Sequence, residues 1–271
     1  MTDHERVTKY YAQFDEWARL DTPEGRLEYE RALHILDHYL KPQSRILDLG
    51  GGPGRYAIAL AQRNHRVVLA DISPELLDRV RKEVDAAGVG SHIESIDLVD
   101  AVCLGSYAPA TFDAVIAFGP FYHLTEASER EAAAAEIGRV LKQKGLLFAS
   151  FIPRMAGMGR LIDRAAIDAE QVTADVLLEC LETGVFHNQA TRGFQEGYYP
   201  YPHEIKSLFE KAGITCISLA SLRGIGNMAA SQLDRLHPTL RNEVLAIVEK
   251  TATDPAVVGC CGHAVLIGSK P

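Results

Sequence analysis

From Arg45 onward, short apolar runs rich in β-branched residues alternate with stretches whose apolar side chains recur every three or four positions. The first pattern marks strands buried on both faces and the second marks amphipathic helices, so their alternation predicts a parallel sheet wrapped by helices. The runs place five strands at Arg45–Leu49, Arg66–Asp71, His92–Ile96, Phe112–Phe118 and Leu146–Ile152, with helices between them. Two more follow near Ile214–Leu219 and Gly262–Gly268, for seven in all, separated by a helix centred on Leu240 to Val248. The helix after the second strand has a capping Ser73, Pro74 in its first turn and Gly88 to end it. Another is expected from about Thr125 to Leu141.

Ahead of the sheet, Val7, Tyr10, Tyr11, Phe14, Trp17 and Ala18 recur at helical spacing. Pro23 then opens a second helix carrying Leu27, Leu33, Leu36 and Leu40. Between the fifth strand and Pro202 lie about fifty residues that the sheet does not need, ending in a glycine- and tyrosine-rich stretch from Gly193 to Tyr201. An insertion of that size beside the strand ends is expected to act as a lid or substrate wall. The chain therefore reads as a single domain, with cap helices over 1–42, a core over 43–152 and 202–271, and the insertion over 153–201.

The first strand runs into Asp48-Leu49-Gly50-Gly51-Gly52-Pro53-Gly54-Arg55. Glycines at such a turn accept positive φ and let backbone pass close to a ligand. The turn alone also fits a dinucleotide pattern, G-x-G-x-x-A at Gly52 to Ala57, so the aspartates decide. Asp48 stands where a dinucleotide fold keeps an apolar residue, and its carboxylate can hold a cationic amino group. Asp71 ends the second strand, the position from which an acid reaches both hydroxyls of a ribose, and Ile72 follows it. Asp97 is expected at the end of the third strand, accepting from an adenine amino group while Leu98 borders the ring.

With these residues the chain resembles the class I S-adenosylmethionine-dependent methyltransferases, within a bacterial methyltransferase-domain group acting on small molecules. The resemblance extends through Leu20 to Arg31, Gly119-Pro120-Phe121-Tyr122-His123-Leu124, Gly145 to Ile152 and Gly262 to Leu266. It implies an α/β fold, a Rossmann-like seven-stranded sheet flanked by helices, with N-terminal helices and a lid insertion after the fifth strand. It also implies S-adenosyl-L-methionine as cofactor and S-adenosyl-L-homocysteine as product. Gly50, Gly51 and Gly52 would hold the methionine end, Asp71 the ribose, Asp97 and Leu98 the adenine, and Phe118 would line the sulfonium. A tyrosine or arginine of the N-terminal helices closes over the methionine carboxylate in related enzymes, which makes Tyr11 and Arg26 candidates. Where many relatives read aromatic-His-x-Pro, this chain has Tyr199-Pro200-Tyr201-Pro202, so a histidine is missing from that wall.

Composition narrows the acceptor. A formal charge of −8 and a pI near 5.7 run against nucleic acid, because a phosphate-tracking surface needs an excess of Lys and Arg. The expected partner is a small molecule, not nucleic acid or a membrane, with a homodimer as a possible assembly. Protein side chains are less easily excluded as acceptors. Cys103, Cys180, Cys216, Cys260 and Cys261 lack metal-ligand spacing and read as reduced thiols, so no metal is expected. With neither a leader-like start nor an apolar window long enough for a membrane span, the cytoplasm is the expected address.

Methyl transfer from a sulfonium needs chiefly binding and alignment from the protein. His123 is the candidate base, since the fourth strand should deliver it beside the methyl group, and Tyr122 is placed to orient an acceptor. Arg154 can pair with a substrate carboxylate or phosphate through its planar fork, or form a surface salt bridge. Asn188 and Tyr199 would add polar and aromatic points to the insertion's wall, or pack within it. Oxygen and nitrogen acceptors lead, with sulfur and carbon left open.

Overall fold

A computed structural model describes residues 15–168, 170, 172–188 and 196–271. Two helices come first, α1 (Glu16–Arg19) and α2 (Pro23–Tyr39). Thr22 starts α2 by accepting from the Gly25 amide at 3.0 Å, with Pro23 in the first turn where its missing N–H is no loss. The alternating core follows as β1 (Arg45–Leu49), α3 (Arg55–Ala61), β2 (Arg66–Asp71), α4 (Pro74–Ala87), β3 (Ile93–Leu98), β4 (Phe112–Ala117), α5 (Ala127–Val140) and β5 (Leu141–Phe151). The insertion contributes α6 (Arg154–Ile167), α7 (Ala174–Thr183) and a hairpin of β6 (Val185–His187) with β7 (Glu196–Tyr198). The chain closes with α8 (Pro202–Lys211), β8 (Thr215–Ser221), α9 (Ala230–Leu233), α10 (Pro238–Lys250), α11 (Pro255–Cys260) and β9 (Ala264–Ser269).

Seven strands form one sheet in the order β3-β2-β1-β4-β5-β9-β8, with β9 antiparallel to both of its neighbours. Strand order reverses between β1 and β4, and the C-terminal ends of strands on either side of such a reversal leave a crevice for ligand. One face packs Val115, Leu147 and Leu266 against Ile137 of α5 and Phe209 of α8. The other packs Ile46, Val67 and Ile116 against Leu36, Leu60 and Val80 of α2, α3 and α4. Both faces are buried, which is why these strands read as continuous apolar runs.

Expectation and structure agree on the limits of β1 and β2. β5 begins at Leu141, five residues before the expected Leu146, because Lys142, Gln143 and Lys144 extend it outside the apolar run. β3 is displaced toward the C-terminus and contains Asp97 and Leu98 as strand residues. Among the described residues no helix is long and apolar enough to cross a membrane.

The insertion has its own small core of Ile152, Leu161, Val172, Val176, Cys180, Phe186 and Tyr199. Arg154 joins its parts. Only 2% exposed, it donates from Nε to the Tyr199 carbonyl (3.0 Å), from Nη1 to the Leu181 and Glu182 carbonyls, and from Nη2 to Glu204 (2.8 Å). Its guanidinium also lies 4.1 Å from the Tyr201 ring centroid. Removing one member of a buried, hydrogen-bonded charge pair typically costs about 3–5 kcal/mol. Arg154→Met should therefore lower unfolding stability by about 3 kcal/mol and expose the insertion to limited proteolysis; unchanged denaturant midpoint and cleavage pattern would contradict this role.

Candidate active site

At the strand-order reversal lies an open cleft. Its floor is the turn from Asp48 to Pro53, one wall is Asp71, Ile72 and Ser73, another is Phe118 to Pro120, and the N-terminal helices supply Glu16, Arg19, Leu20 and Glu28. Gly50 adopts φ +67°, and a Cβ there would lie 2.8 Å from Cδ of Pro120. The β1 turn and the segment after β4 thus approach as closely as a residue without a side chain allows.

Asp48 is 1% exposed at the end of β1, and its Oδ2 has no hydrogen-bond partner among the described residues. A Cβ on Gly51 would stand 2.9 Å from that oxygen, so the carboxylate lies directly behind the glycine turn. Burial, and next the negative charge of Asp71, push the Asp48 pKa up to about 7. Asp71 accepts from the Gly52 amide through Oδ2 (2.8 Å) and from the Ser73 amide through Oδ1 (2.9 Å). Each of its oxygens retains a further acceptor position. Burial raises its pKa, partly offset by those backbone donors.

The third aspartate is placed differently from expectation. Asp97 Oδ2 accepts from Tyr107 Oη at 2.8 Å and from Ser95 Oγ at 2.9 Å, and neither Asp97 nor Leu98 lines the cleft. Leu98 is 62% exposed. Because β3 runs through both residues, the strand's end delivers Val99, Asp100 and Ala101 to the cleft instead. Asp100 accepts from the Val102 amide at 3.0 Å, a turn that fixes its carboxylate just past the strand.

On the N-terminal wall, Tyr11 lies outside the described residues. Arg26 is also displaced from its expected role: it faces outward, bonded to the Asp21 carbonyl and paired with Asp234, and does not line the cleft. Arg19 lines it, donating to Glu16 and to Glu28 Oε1 (2.9 Å). Phe118 lies at the head of the cleft, its ring 4.9 Å from that of Tyr56, and its carbonyl accepts from Ser150 Oγ at 2.8 Å.

Tyr122 and His123 reach the cleft together, rings 4.7 Å apart. Burial pushes the His123 pKa down to about 3, so the imidazole is neutral at physiological pH and a weak proton acceptor. It is suited to hydrogen bonding rather than to the near-neutral base its sequence position suggested. The three residues expected to bind substrate do not line the cleft. Arg154 is consumed by the insertion's carbonyls and Glu204. Tyr199 is 3% exposed, its amide on the Gly184 carbonyl and its ring against Gly157. Asn188, the residue after β6, is not among those that line the cleft. Among the described residues, the insertion contributes no side chain to the cleft lining; it packs behind Tyr122.

A buried ionic cluster adjoins the cleft and has no sequence signature. Glu28, 3% exposed, accepts from Arg19 through Oε1 and, through Oε2, from Arg223 Nε and Nη2 (3.0 and 2.7 Å) and His263 Nδ1 (2.6 Å). Burial alone would raise the Glu28 pKa, yet His263, Arg19 and Arg223 hold it well below the carboxylate range. Burial in turn pushes His263 down to about 4, so it is neutral, and bonding to an ionised carboxylate requires that Nδ1 carry the hydrogen.

Comparison with known proteins agrees with this geometry. Residues 46–145 match the family model of a methyltransferase domain. Over 79 residues the chain is 38% identical to the tRNA 5-carboxymethoxyuridine methyltransferase of Escherichia coli (strain K12), covering 28% of this chain and 30% of that one. Over 150 residues it is 33% identical to the glycine/sarcosine N-methyltransferase of Parasynechococcus marenigrum (strain WH8102), covering 54% and 51%. The chain thus spans between 30% and 51% of the length of these curated relatives. The fold is shared with a solved Thermotoga maritima structure described as an S-adenosylmethionine-dependent methyltransferase, at TM-score 0.62 and 16% identity over 98% of this chain and 99% of that one.

Proposed function

We propose that this chain, whose residues 46–145 match the family model of a methyltransferase domain, is a class I enzyme that transfers a methyl group from S-adenosylmethionine to a small molecule at oxygen or nitrogen. One observation carries the reading: a buried carboxylate oxygen of Asp48 without a partner behind a glycine turn that Asp71 clamps from the other side. A cationic amino group at the turn would satisfy Asp48, and a ribose diol would use the remaining acceptor positions of Asp71. Val99, Asp100 and Ala101 would enclose the adenine in place of Asp97 and Leu98. Ile72 would lie against the adenosine and Phe118 beside the sulfur.

When bound, the cofactor supplies a methyl group already activated by the sulfonium charge. What the chain's residues contribute is alignment and exclusion of water. Tyr122 presents a hydroxyl and His123 a neutral imidazole on the acceptor side, two hydrogen-bonding groups able to orient an amine or hydroxyl for in-line attack. An amine that is already deprotonated needs no base, which suits a site whose histidine is weakly basic.

Asp48 gives this reading a pH signature. A group with pKa about 7 must lose its proton to pair with an ammonium, so affinity for S-adenosylhomocysteine should rise up to tenfold per pH unit below 7 and level off above it. Asp48→Asn should abolish that slope and weaken binding at pH 8; a wild-type affinity flat from pH 5.5 to 8 would contradict the role given to Asp48.

The tRNA methyltransferase among the relatives favours a macromolecular acceptor as the second reading. Incubation with radiolabelled S-adenosylmethionine and a panel of small amines, hydroxy acids, peptides and tRNA separates the two. Transfer to small molecules with release of S-adenosylhomocysteine is expected; labelling of tRNA or protein in preference to them would overturn the acceptor class. Binding without any S-adenosylhomocysteine formed would leave a cofactor-binding protein and not a methyltransferase.

A further inference from the structure

Among the described residues, the charged side chains that line the cleft are five carboxylates, Glu16, Glu28, Asp48, Asp71 and Asp100, and two guanidinium groups, Arg19 and Arg55. Both arginines are engaged. Arg19 is held by Glu16 and Glu28 at 2.5 and 2.9 Å, and Arg55 by Asp21 at 2.9 Å and by the faces of the Trp17 and Tyr29 rings. Adding the charges just behind the lining, Asp21 on Arg55 and Arg223 and Arg160 toward His263, leaves the balance negative. The rings of Tyr56, Phe118 and Tyr122 complete the lining, and aromatic faces also attract cations.

Ser150 adds a second, independent feature. It is 3% exposed near the end of β5, lines the cleft, and gives its only hydroxyl hydrogen to the Phe118 carbonyl at 2.8 Å. Among the described residues nothing donates to Oγ, so what it still offers the cleft is acceptor capacity alone. The Phe118 carbonyl beside it can likewise only accept. A buried hydroxyl fixed in this way rewards a ligand that brings N–H or O–H hydrogens and gives nothing to a bare anion.

Charge separates the donors further. When an amine is methylated, the nitrogen lone pair forms the new N–C bond, the S–C electron pair stays on sulfur, and the positive charge passes from sulfonium to product ammonium. An amine that arrives protonated first gives that proton to water. Carboxylates around the cleft therefore face one positive charge before, during and after transfer, and in a partly desolvated site that attraction is stronger than in bulk water. A phenolate, carboxylate or thiolate acceptor would be repelled on entry and would cancel the charge on reaction.

We propose, resting on the methyltransferase reading above, that the acceptor is a small primary or secondary amine, and that Ser150 selects it by accepting one of its N–H hydrogens beside the Phe118 carbonyl. Tyr122 and His123, each with a donor and an acceptor to offer, complete the nitrogen's surroundings.

The test titrates the full chain, saturated with S-adenosylhomocysteine, with two sets of probes that share a skeleton: benzylamine, benzyl alcohol and benzoate, and butylamine, butanol and butyrate, at pH 8 and constant ionic strength. At least one amine should bind saturably and about tenfold or more tighter than its own alcohol and carboxylate. Ser150→Ala should weaken that amine about fivefold or more, Ser150→Thr, which keeps the hydroxyl, should restore most of the loss, and the surface control Arg81→Gln should leave it unchanged. An alcohol or carboxylate bound as tightly as its amine, or no binding by either amine, overturns the inference while the bound S-adenosylhomocysteine leaves the methyltransferase reading intact. Equal amine affinity in wild type and Ser150→Ala overturns the role given to Ser150, and should that variant fail to fold, the wild-type series still decides the acceptor class. Failure to bind S-adenosylhomocysteine overturns the methyltransferase reading instead.

Discussion

Gly50→Val is expected to raise the dissociation constant for S-adenosylhomocysteine by about tenfold or more. Gly50 holds φ +67°, and its amide donates to the Ala70 carbonyl at 2.7 Å, so the turn cannot relax without breaking its tie to β2. A β-branched residue in the left-handed region costs about 1–2 kcal/mol. The new Cβ would lie 2.8 Å from Pro120 Cδ, and overpacking of that kind costs roughly 1–3 kcal/mol more. At 1.4 kcal/mol per tenfold, the sum corresponds to about 30-fold to several thousandfold, divided between folding and binding. Gly88→Ala is the control. It carries the same φ of +67° with nothing within 4 Å of its Cβ, far from the cleft, so it should cost stability and spare cofactor affinity. An affinity for Gly50→Val within threefold of wild type would remove the turn from the site.

Glu28→Gln should lower stability by about 3–5 kcal/mol in denaturant unfolding. The amide keeps the shape but leaves Arg19 and Arg223 without their shared charge, and its NH2 cannot accept the hydrogens that the second carboxylate oxygen accepts. Glu28 ties α2 to Arg223 after β8 and to His263 before β9, so the N-terminal wall of the cleft should loosen with it. Acid works through the same cluster. His263 takes up its proton near pH 4 when folded and near 6.5 when unfolded, so the unfolded state binds more protons between those values. Its share of stability is lost as pH falls from about 6.5 to 4, and that of Glu28, whose folded pKa is depressed, is lost at still lower pH. Asp48, with its pKa raised to about 7, opposes this trend, because the folded state then binds the extra proton. A Glu28→Gln midpoint within 1 kcal/mol of wild type would show that the cluster contributes little.

Legibility in the sequence followed the range of the interaction. β1 and β2 were readable to the residue because both are buried on two faces and end at a glycine turn and at Ser73-Pro74, both local signals. Asp48, Asp71 and the glycines followed from them, since each is defined by a strand end. β3 lacked such an end: its half-buried pattern let Asp97 read as terminal when the strand continues through Leu98, and the cleft receives Asp100. Arg26 and Arg154 were reasonable as charge types, but only the fold shows Asp234 beside the first and four acceptors around the second. The Glu28 cluster was invisible for the same reason. Arg223 and His263 stand 195 and 235 residues from Glu28, and nothing local marks them as its partners.

The measurement that bears most directly on the central claim is calorimetric titration of the purified chain with S-adenosylmethionine, S-adenosylhomocysteine and NAD side by side. Saturable one-to-one binding of both adenosyl sulfur compounds, with no heat from NAD, is the expected result. Preference for NAD, or no uptake of either sulfur compound at pH 8 where Asp48 is ionised, would contradict it.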